Sequence, residues 1–382
     1  MTDKKEGKGQ KMENGNGAER AEGGRSSSQL ELMWRQFKRN RLARLGMLIV
    51  GLFLLFAFLA PFFSPYDYKK QNLQTTFVPP QKLHFFDEEG NFHPIPFTYK
   101  LKKTMDPTTY ELIYRENRSQ RYHLKFFVRS WKYKLFGLLQ SDLHLFGIEG
   151  NGSVYLLGTD GQGRDLLSRI IQGGRISLLV AIVGAVMSAV IGSLIGGVSG
   201  YYAGILDILL QRIVEVVQSF PKIAMWMALS TAIPPQWPPM YVLYGIIAIF
   251  ALLYWPMLAR EVRGKVLSYR EESFVMAAKS IGAGDLRIIV RHVLPQALSH
   301  IIVVVTVTIP WFILAESMLS FLGLGIQPPM VSWGVLLQKA QNLQTLGQHP
   351  WIMAPGVFII FSVLGFNFLG DGLRDAADPF SE

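Results

Sequence analysis

Residues 177–200 read SLLVAIVGAVMSAVIGSLIGGVSG and contain no charged side chain. A helix of about 20 apolar residues crosses the hydrocarbon core of a bilayer. Gly192, Gly196 and Gly200 recur every four residues, and small residues at that spacing let two helix backbones approach closely. We therefore predict a membrane-spanning helix that packs against another helix along its glycine face, with a pore lining as the alternative.

Apolar segments on both sides of this stretch extend the same pattern. The predicted spans are about 45–63, 176–200, 207–232, 241–262, 298–322 and 351–372. The third span contains Asp207, Arg212 and Glu215, so we expect its first turns to lie at the interface or to face other helices. The sequence thus predicts an all-α membrane protein with six transmembrane helices.

Charge sets the expected topology and the expected domains. Basic residues next to a span favour the cytoplasmic side, and five of them precede the first span: Arg35, Lys38, Arg39, Arg41 and Arg44. Six spans then place both termini and the loop 264–297 in the cytoplasm. The expected segments are a disordered tail at 1–28, a basic amphipathic segment with the first span at 29–65, an extracytoplasmic insertion of mixed structure at 66–157, and a transmembrane core at 158–382.

Composition and missing motifs argue against several other classes of protein. The chain has no Cys, so it can form neither a disulfide nor a thiolate metal site. Its net charge of +10 comes from basic residues beside the spans, which does not indicate nucleic-acid binding. The sequence contains no G-x-x-x-x-G-K-[ST] phosphate loop, no catalytic motif and no metal-ligand cluster. We predict a non-catalytic chain that binds no cofactor itself.

The loop GKVLSYREESFVMAAKSIGAGDLRIIVRHVLPQA, residues 264–297, predicts two short helices. Ser268 and Glu271 fit a capping box at the start of the first helix. Gly282 and Gly284 would end it, and Asp285 would cap a second helix that runs to Val293. Helical spacing puts four side chains on one apolar face: Phe274, Ala277, Ala278 and Ile281. Such a helix either docks on a protein or lies on the lipid surface.

This loop resembles the signature loop of permease subunits in ATP-binding-cassette importers, E-A-A-x3-G-x9-I-x-L-P. The match is carried by Ala277, Ala278, Gly282 and Leu294-Pro295, whereas Met276 and His292 replace the usual Glu and Ile. In that family the loop docks into a groove of the ATPase subunit. The resemblance therefore implies a coupling site formed by Phe274, Ala277, Ala278, Ile281, Gly282 and Asp285.

A second stretch, LLGTDGQGRDLLSRIIQGGRISL at 156–178, is similar to the C-type subunit of dipeptide and oligopeptide permeases. By itself it reads as a turn followed by a charged helix, which could be a solvated interfacial helix. The segments 316–334 and 370–379 resemble the same subunit, while 66–157 is longer than in typical members. The outer motif consists of Gly158, Thr159, Asp160, Gly163, Arg164, Asp165, Ser168, Arg169, Gly173 or Gly174, Arg175 and Ser177.

The resemblance implies a type I importer permease that forms half of a path for oligopeptides or dipeptides across a prokaryotic cytoplasmic membrane. The implied partners are a second homologous permease, two cytoplasmic ATPase subunits that bind ATP and Mg, an extracytoplasmic solute-binding protein and the lipid bilayer. An oligosaccharide or other solute is the alternative substrate. A stand-alone secondary transporter is the alternative class, with Glu316 as its one midspan carboxylate, although we expect Glu316 nearer the outer surface.

The sequence identifies no substrate-binding residue. Residues 66–157 would contact the binding protein or the partner permease, or serve as a spacer.

Overall fold

The computed structural model describes residues 29–87, 89–105, 107, 112–135, 137–148, 152–234 and 236–377, so the predicted disordered tail at 1–28 lies outside the described residues. Most of the described chain is helical. The helices are α1 Gln29–Arg39, α2 Arg41–Phe58, α3 Ala60–Phe63, α4 Leu166–Tyr202, α5 Gly204–Ser219, α6 Lys222–Thr231, α7 Pro239–Tyr269, α8 Ser273–Ser280, α9 Asp285–Ile288, α10 Leu298–Phe321, α11 Trp333–Leu337, α12 Leu343–Gln348 and α13 Ala354–Ala377.

Five helical stretches of the described chain are long and apolar enough to cross a membrane: Arg41–Phe58, Leu166–Tyr202, Pro239–Tyr269, Asp285–Phe321 and Pro350–Ala377. The predicted span at 207–232 is different, because it divides into α5 and α6. The break lies at Phe220 and Pro221, where Pro cannot donate the backbone hydrogen bond that a continuous helix requires. Neither half is long enough to span by itself. The all-helical membrane core is confirmed, but six single-helix spans are not.

The glycine face of α4 packs directly on α7. A Cβ atom added at Gly192 would lie 2.7 Å from the carbonyl oxygen of Trp255, and one at Gly200 would lie 2.8 Å from that of Arg263. Gly196 meets the backbone of Ala259 in the same way. Glycine is required here because the two backbones leave no room for a side chain. The predicted close packing is confirmed.

The basic segment before the first span forms a separate helix that packs against α13. Asn40 separates α1 from α2, and its side chain accepts hydrogen bonds from the backbone N–H groups of Leu42 and Ala43. This N-cap explains why α2 begins at Arg41, earlier than predicted. Phe37 is buried in a small cluster with Ala43 and Ala376, which holds α1 against α13.

The insertion between the first span and α4 consists mainly of β-strands. The strands are β1 His84–Phe86, β2 Phe92–Met105, β3 Leu112–His123, β4 Lys125–Leu135 and β5 Leu139–Gly147. The first three form one antiparallel sheet in the order β1-β2-β3, and the last two form a separate antiparallel hairpin. A single 3₁₀ turn, Leu73–Thr75, precedes them in the described part of the insertion.

Candidate functional site

The loop between α7 and α10 contains the short helix α8, which ends as the sequence predicts. Gly282 has a φ of +79°, a conformation that costs glycine little. Its N–H bonds to the carbonyl of Lys279, and the N–H of Ala283 bonds to that of Ala278 (2.9 and 3.0 Å). This pair of hydrogen bonds is a Schellman motif, which satisfies the carbonyl groups at the end of a helix. The predicted role of Gly282 as a helix terminator is confirmed.

The apolar face predicted for α8 is divided between the interior and the surface. Val275 and Ala278 are buried, together with residues of α4, α7 and the segment after α9. Ala277 is exposed, and so is Ile281, whose exposed fraction is 85%. Ala278 therefore holds α8 to its own chain, while Ala277, Ile281 and the exposed Met276 face outward.

The predicted capping box of Ser268 and Glu271 is wrong. Helix α7 continues to Tyr269, so Ser268 lies inside its last turn, where its hydroxyl donates to the carbonyl of Lys265 (2.9 Å). The reason is packing, because the apolar side of α7 remains buried as far as Val266. Helix α8 begins instead after Glu272, whose side chain makes no capping hydrogen bond.

Asp285 does not cap the second helix either. It is the first residue of α9, and its carboxylate accepts a hydrogen bond from the hydroxyl of Tyr201 on α4 (2.9 Å). Lys279 of α8 lies over the ring of the same tyrosine, 5.0 Å from its centre. Tyr201 therefore touches both helices of the loop. Sequence reasoning missed it, since it lies far from the loop in the chain and belongs to no motif.

The second helix of the loop is predicted to end at Val293, and this prediction is wrong because the helical path continues past that residue. A π-helical turn at Ile289–Val293 and a 3₁₀ turn at Leu294–Ala297 join α9 to α10. Pro295 is tolerated because it lies in the first turn of a new helical segment, where its missing N–H group breaks no bond. The loop is thus continuous with a membrane-spanning helix.

The outer motif at 158–177 folds into a buried turn that precedes α4. Asp160 accepts hydrogen bonds from the guanidinium groups of Arg164 (2.8 Å) and Arg169 (2.5 Å). Thr159 donates to the carbonyl of Thr75 and accepts from the N–H of Val78, which ties the turn to the start of the insertion. Asp160 and Arg169 are both buried and form an ion pair with each other. The alternative prediction, that this charged helix lies in solvent at the interface, is therefore wrong for these two residues.

Glycines of the motif permit its close contacts. Gly158 and Gly163 have φ angles of +76° and +68°, and a side chain at Gly163 would collide with the backbone of Asn72. Gly173 packs against Ser332, the N-cap residue of α11, and Gly174 packs against Trp333, the first residue of that helix. The structure does not bring every motif residue together: Arg175 is exposed on α4.

Asp165 caps α4 from a fully buried position. One carboxylate oxygen accepts from the N–H of Ser168 (2.7 Å), while the other has no hydrogen-bond partner. The hydroxyl of Ser168 in turn accepts from the N–H of Tyr66. Burial raises the pKa of the Asp165 carboxyl to about 6, against the opposing effect of its hydrogen bonds.

Glu316 on α10 is completely buried and accepts hydrogen bonds from the hydroxyls of Ser177 and Ser320, each at 2.7 Å. Ser177 also accepts from the backbone N–H of Trp333 (3.2 Å). This network joins α4, α10 and α11 near the end of α10. The Glu316 carboxylate therefore holds these helices together and does not face an open translocation path. Among the described residues, no group of three His, Cys, Asp or Glu side chains is placed to hold a metal ion.

The described chain combines a bundle of membrane-spanning helices with one short, partly exposed helix in the loop between α7 and α10, an arrangement that fits a membrane permease. The chain belongs to the family described as the binding-protein-dependent transport system inner membrane component, whose profile matches residues 188–381. The N-terminal transmembrane domain of oligopeptide transport permease C matches residues 28–80. The predicted resemblance is confirmed.

Curated relatives carry names of the same kind. The oligopeptide transport system permease protein OppC of Bacillus subtilis is 30% identical over 345 residues, which cover 90% of this chain and 87% of that protein. OppC of Escherichia coli is 42% identical over 228 residues, covering 59% and 73%. Among solved structures, the MetNI methionine ABC transporter matches 55% of this chain and 96% of its own with 20% identity and a TM-score of 0.42.

Proposed function

We propose that this chain forms half of the translocation path of an ATP-binding-cassette importer and that α8 couples it to a separate ATPase. The observation that carries the proposal is the divided surface of α8. Val275 and Ala278 fix the helix to the permease, and Met276, Ala277 and Ile281 are left exposed. A short helix with small and apolar side chains facing outward suits a groove on a partner protein.

The contacts behind α8 provide a route for coupling. Ala278 and Val275 share a buried cluster with Val262 and Val266 of α7, and Tyr201 of α4 contacts both helices of the loop. The segment after α9 runs without a break into α10. A displacement of α8 by the ATPase would therefore be passed to three membrane-spanning helices at once.

For the substrate we propose oligopeptides or dipeptides, because the relatives named above are oligopeptide permeases. The proposed assembly contains a second homologous permease, two cytoplasmic ATPase subunits that bind ATP and Mg, and an extracytoplasmic binding protein. This chain supplies no catalytic group of its own. Both termini and the loop 264–297 would lie in the cytoplasm of a prokaryotic cell, with α5 and α6 crossing the membrane together.

We further propose that the strands of the insertion contact the binding protein or the partner permease. The start of the insertion belongs to the core, since Thr75 and Val78 bond to Thr159 and the side chain of Gln81 accepts from the N–H of Tyr155. A deletion that tests the contact must therefore spare residues 66–82. Removal of the strands from 84 to 147 should abolish stimulation of ATP hydrolysis by the binding protein. Unchanged stimulation would favour a spacer.

Site-directed cross-linking tests the proposal directly. Met276→Cys in membrane vesicles should form a cross-link to the ATPase subunit, whereas Leu343→Cys, exposed on α12, should not. The assembly should also take up a labelled oligopeptide in the presence of ATP and the binding protein. A cross-link without peptide uptake would preserve the coupling site and reject the substrate. Absence of the cross-link from an assembled complex would reject the coupling site.

A further inference from the structure

The β4–β5 hairpin lies against the end of the first membrane span. The indole N–H of Trp131 donates to the carbonyl of Ser64 (3.3 Å), and Nδ1 of His144 lies 3.0 Å from the carbonyl oxygen of Pro61. Trp131, Tyr133 and His144 form an aromatic cluster on this side of the hairpin, with ring centres 5.1 to 5.5 Å apart. The middle of the hairpin is therefore held at the level where α3 ends.

The two ends of the hairpin lie on opposite sides of this contact. At its base, the N–H of Leu124 bonds to the carbonyl of Pro96, and Val154 just beyond bonds to the hydroxyl of Tyr66 near the core. The first span is peripheral in this chain, because Ala43, Gly46 and Val50 are the buried residues among those described in α2. A hairpin held by its base near the core and by its middle at the end of the first span leaves its exposed tip outside both contacts.

The tip carries the side chains that suit a lipid surface. Leu138 and Leu139 are 87% and 65% exposed. Lys132 and Lys134 are exposed on β4, directly before the tip. Trp131 and Tyr133 lie on the opposite side of the same strand, where Trp131 is half-buried against Ser64 and Tyr133 is buried beside His144, so the two lysines are on the outward side of β4. Across the described hairpin, Asp142 is the single acidic residue, and it lies 4.0 Å from Arg129.

We propose that the tip of this hairpin binds the membrane surface beside the first span, with Leu138 and Leu139 among the acyl chains and Lys132 and Lys134 on the phosphates of anionic phospholipids. Burial of exposed leucines provides an apolar contribution, and the lysines provide the preference for negative headgroups. The contact would fix the insertion's orientation on the bilayer. It does not depend on the chain's substrate or on its ATPase.

Electron paramagnetic resonance on the full chain tests this contact, since a chain without native Cys accepts a single spin label cleanly. Leu138→Cys would carry the label in vesicles of phosphatidylcholine with or without phosphatidylglycerol. Lys102→Cys, exposed on β2 of the other sheet, is the matched control. Oxygen, which enters lipid, and a water-soluble nickel chelate report the label's surroundings.

With phosphatidylglycerol, we expect the label at 138 to be reached by oxygen in preference to the nickel chelate, and the label at 102 to be reached by the chelate. Neutralising two basic residues near an anionic surface lowers association about thirtyfold, so Lys132→Gln with Lys134→Gln should return position 138 to water. Equal access of the chelate to both positions would overturn the proposal. So would shielding at 138 that appears only when the partner permease is added.

Discussion

Arg263 donates two hydrogen bonds to Asp207, from Nε to Oδ1 and from Nη2 to Oδ2, each 2.5 Å long, although 56 residues separate them. Ser199 donates to the same carboxylate (2.5 Å). Asp207 is buried, so α4, α5 and α7 meet at one charged point. The expectation that the charged start of the third span faces other helices is met at Asp207, whereas Arg212 and Glu215 form an exposed pair with each other.

Asp207→Asn should destabilise the folded chain. The change removes the charge that compensates a partly buried guanidinium, and breaking a buried ion pair typically costs 3–5 kcal/mol. Because Arg263 retains 29% exposure of its side chain, we expect a smaller loss of about 1–3 kcal/mol. Glu215→Gln in the exposed pair should change stability by less than about 0.5 kcal/mol. Thermal unfolding in detergent compares the two, and equal melting temperatures would contradict the structural role of Asp207.

Two glycine substitutions should act in opposite directions. Gly196→Ala places a methyl group against the backbone of Ala259, and such overpacking costs about 1–3 kcal/mol. Gly264→Ala meets nothing within 4 Å in α7 and should stabilise the helix by about 0.5–1 kcal/mol. Melting temperatures of the purified variants measure both effects. A Gly196→Ala variant that melts like the wild type would contradict the close contact of α4 with the backbone of Ala259.

The buried carboxyl of Asp165 should make stability depend on pH. Its pKa is raised from 3.8 in the unfolded chain to about 6 in the folded one, so the folded state binds the extra proton between these values. This contribution to stability is therefore present at low pH and lost as pH rises from about 4 to about 6. In the Asp165→Asn variant, the amide oxygen can still accept the hydrogen bond from the N–H of Ser168, but the side chain does not titrate.

Relative to the wild type, the Asp165→Asn variant should gain about 3 kcal/mol of stability between pH 4 and pH 7. Denaturation midpoints of both proteins across this range measure the difference. Parallel pH profiles for the two proteins would show that the carboxyl titrates normally in the folded state.

Labelling with an impermeant thiol reagent should establish the topology. Ser273 and Asn91 are both exposed, at the start of α8 and in the β1–β2 turn. We expect Cys at position 91 to react in intact cells and Cys at position 273 to react only after permeabilisation. The missing native Cys removes background labelling. Reversed labelling would place the insertion in the cytoplasm and reject the proposed orientation.

Sequence reasoning found what depends on composition and local pattern. The length of the uncharged apolar stretches predicted the spans. The spacing of glycines predicted the contact of α4 with α7, and Gly282 predicted the end of α8. It failed where tertiary contacts decide. Packing of Val266 carries α7 past Ser268, which removes the capping box, and burial of Val275 turns Ala278 inward. Neither the pairing of Asp207 with Arg263 nor the contact of Tyr201 with Asp285 has a signature in the chain.

The structure shows which residue of α8 is suited to a test of the coupling helix. Ala278 is buried against its own chain, so a large residue there would disturb the permease itself. Ala277 is exposed, and Trp at this position would fill only the space between α8 and a partner. Overpacking by about 1–3 kcal/mol corresponds to roughly ten- to a hundredfold weaker docking.

The most direct test is the rate of ATP hydrolysis by the reconstituted assembly with binding protein and peptide. Ala277→Trp should melt and insert like the wild type, yet lose the stimulated hydrolysis and the copurified ATPase, while Ala277→Ser should keep both. If α8 lay on the lipid surface, Trp would be harmless there. Wild-type hydrolysis and copurification in Ala277→Trp would contradict the assignment of α8 as the coupling helix.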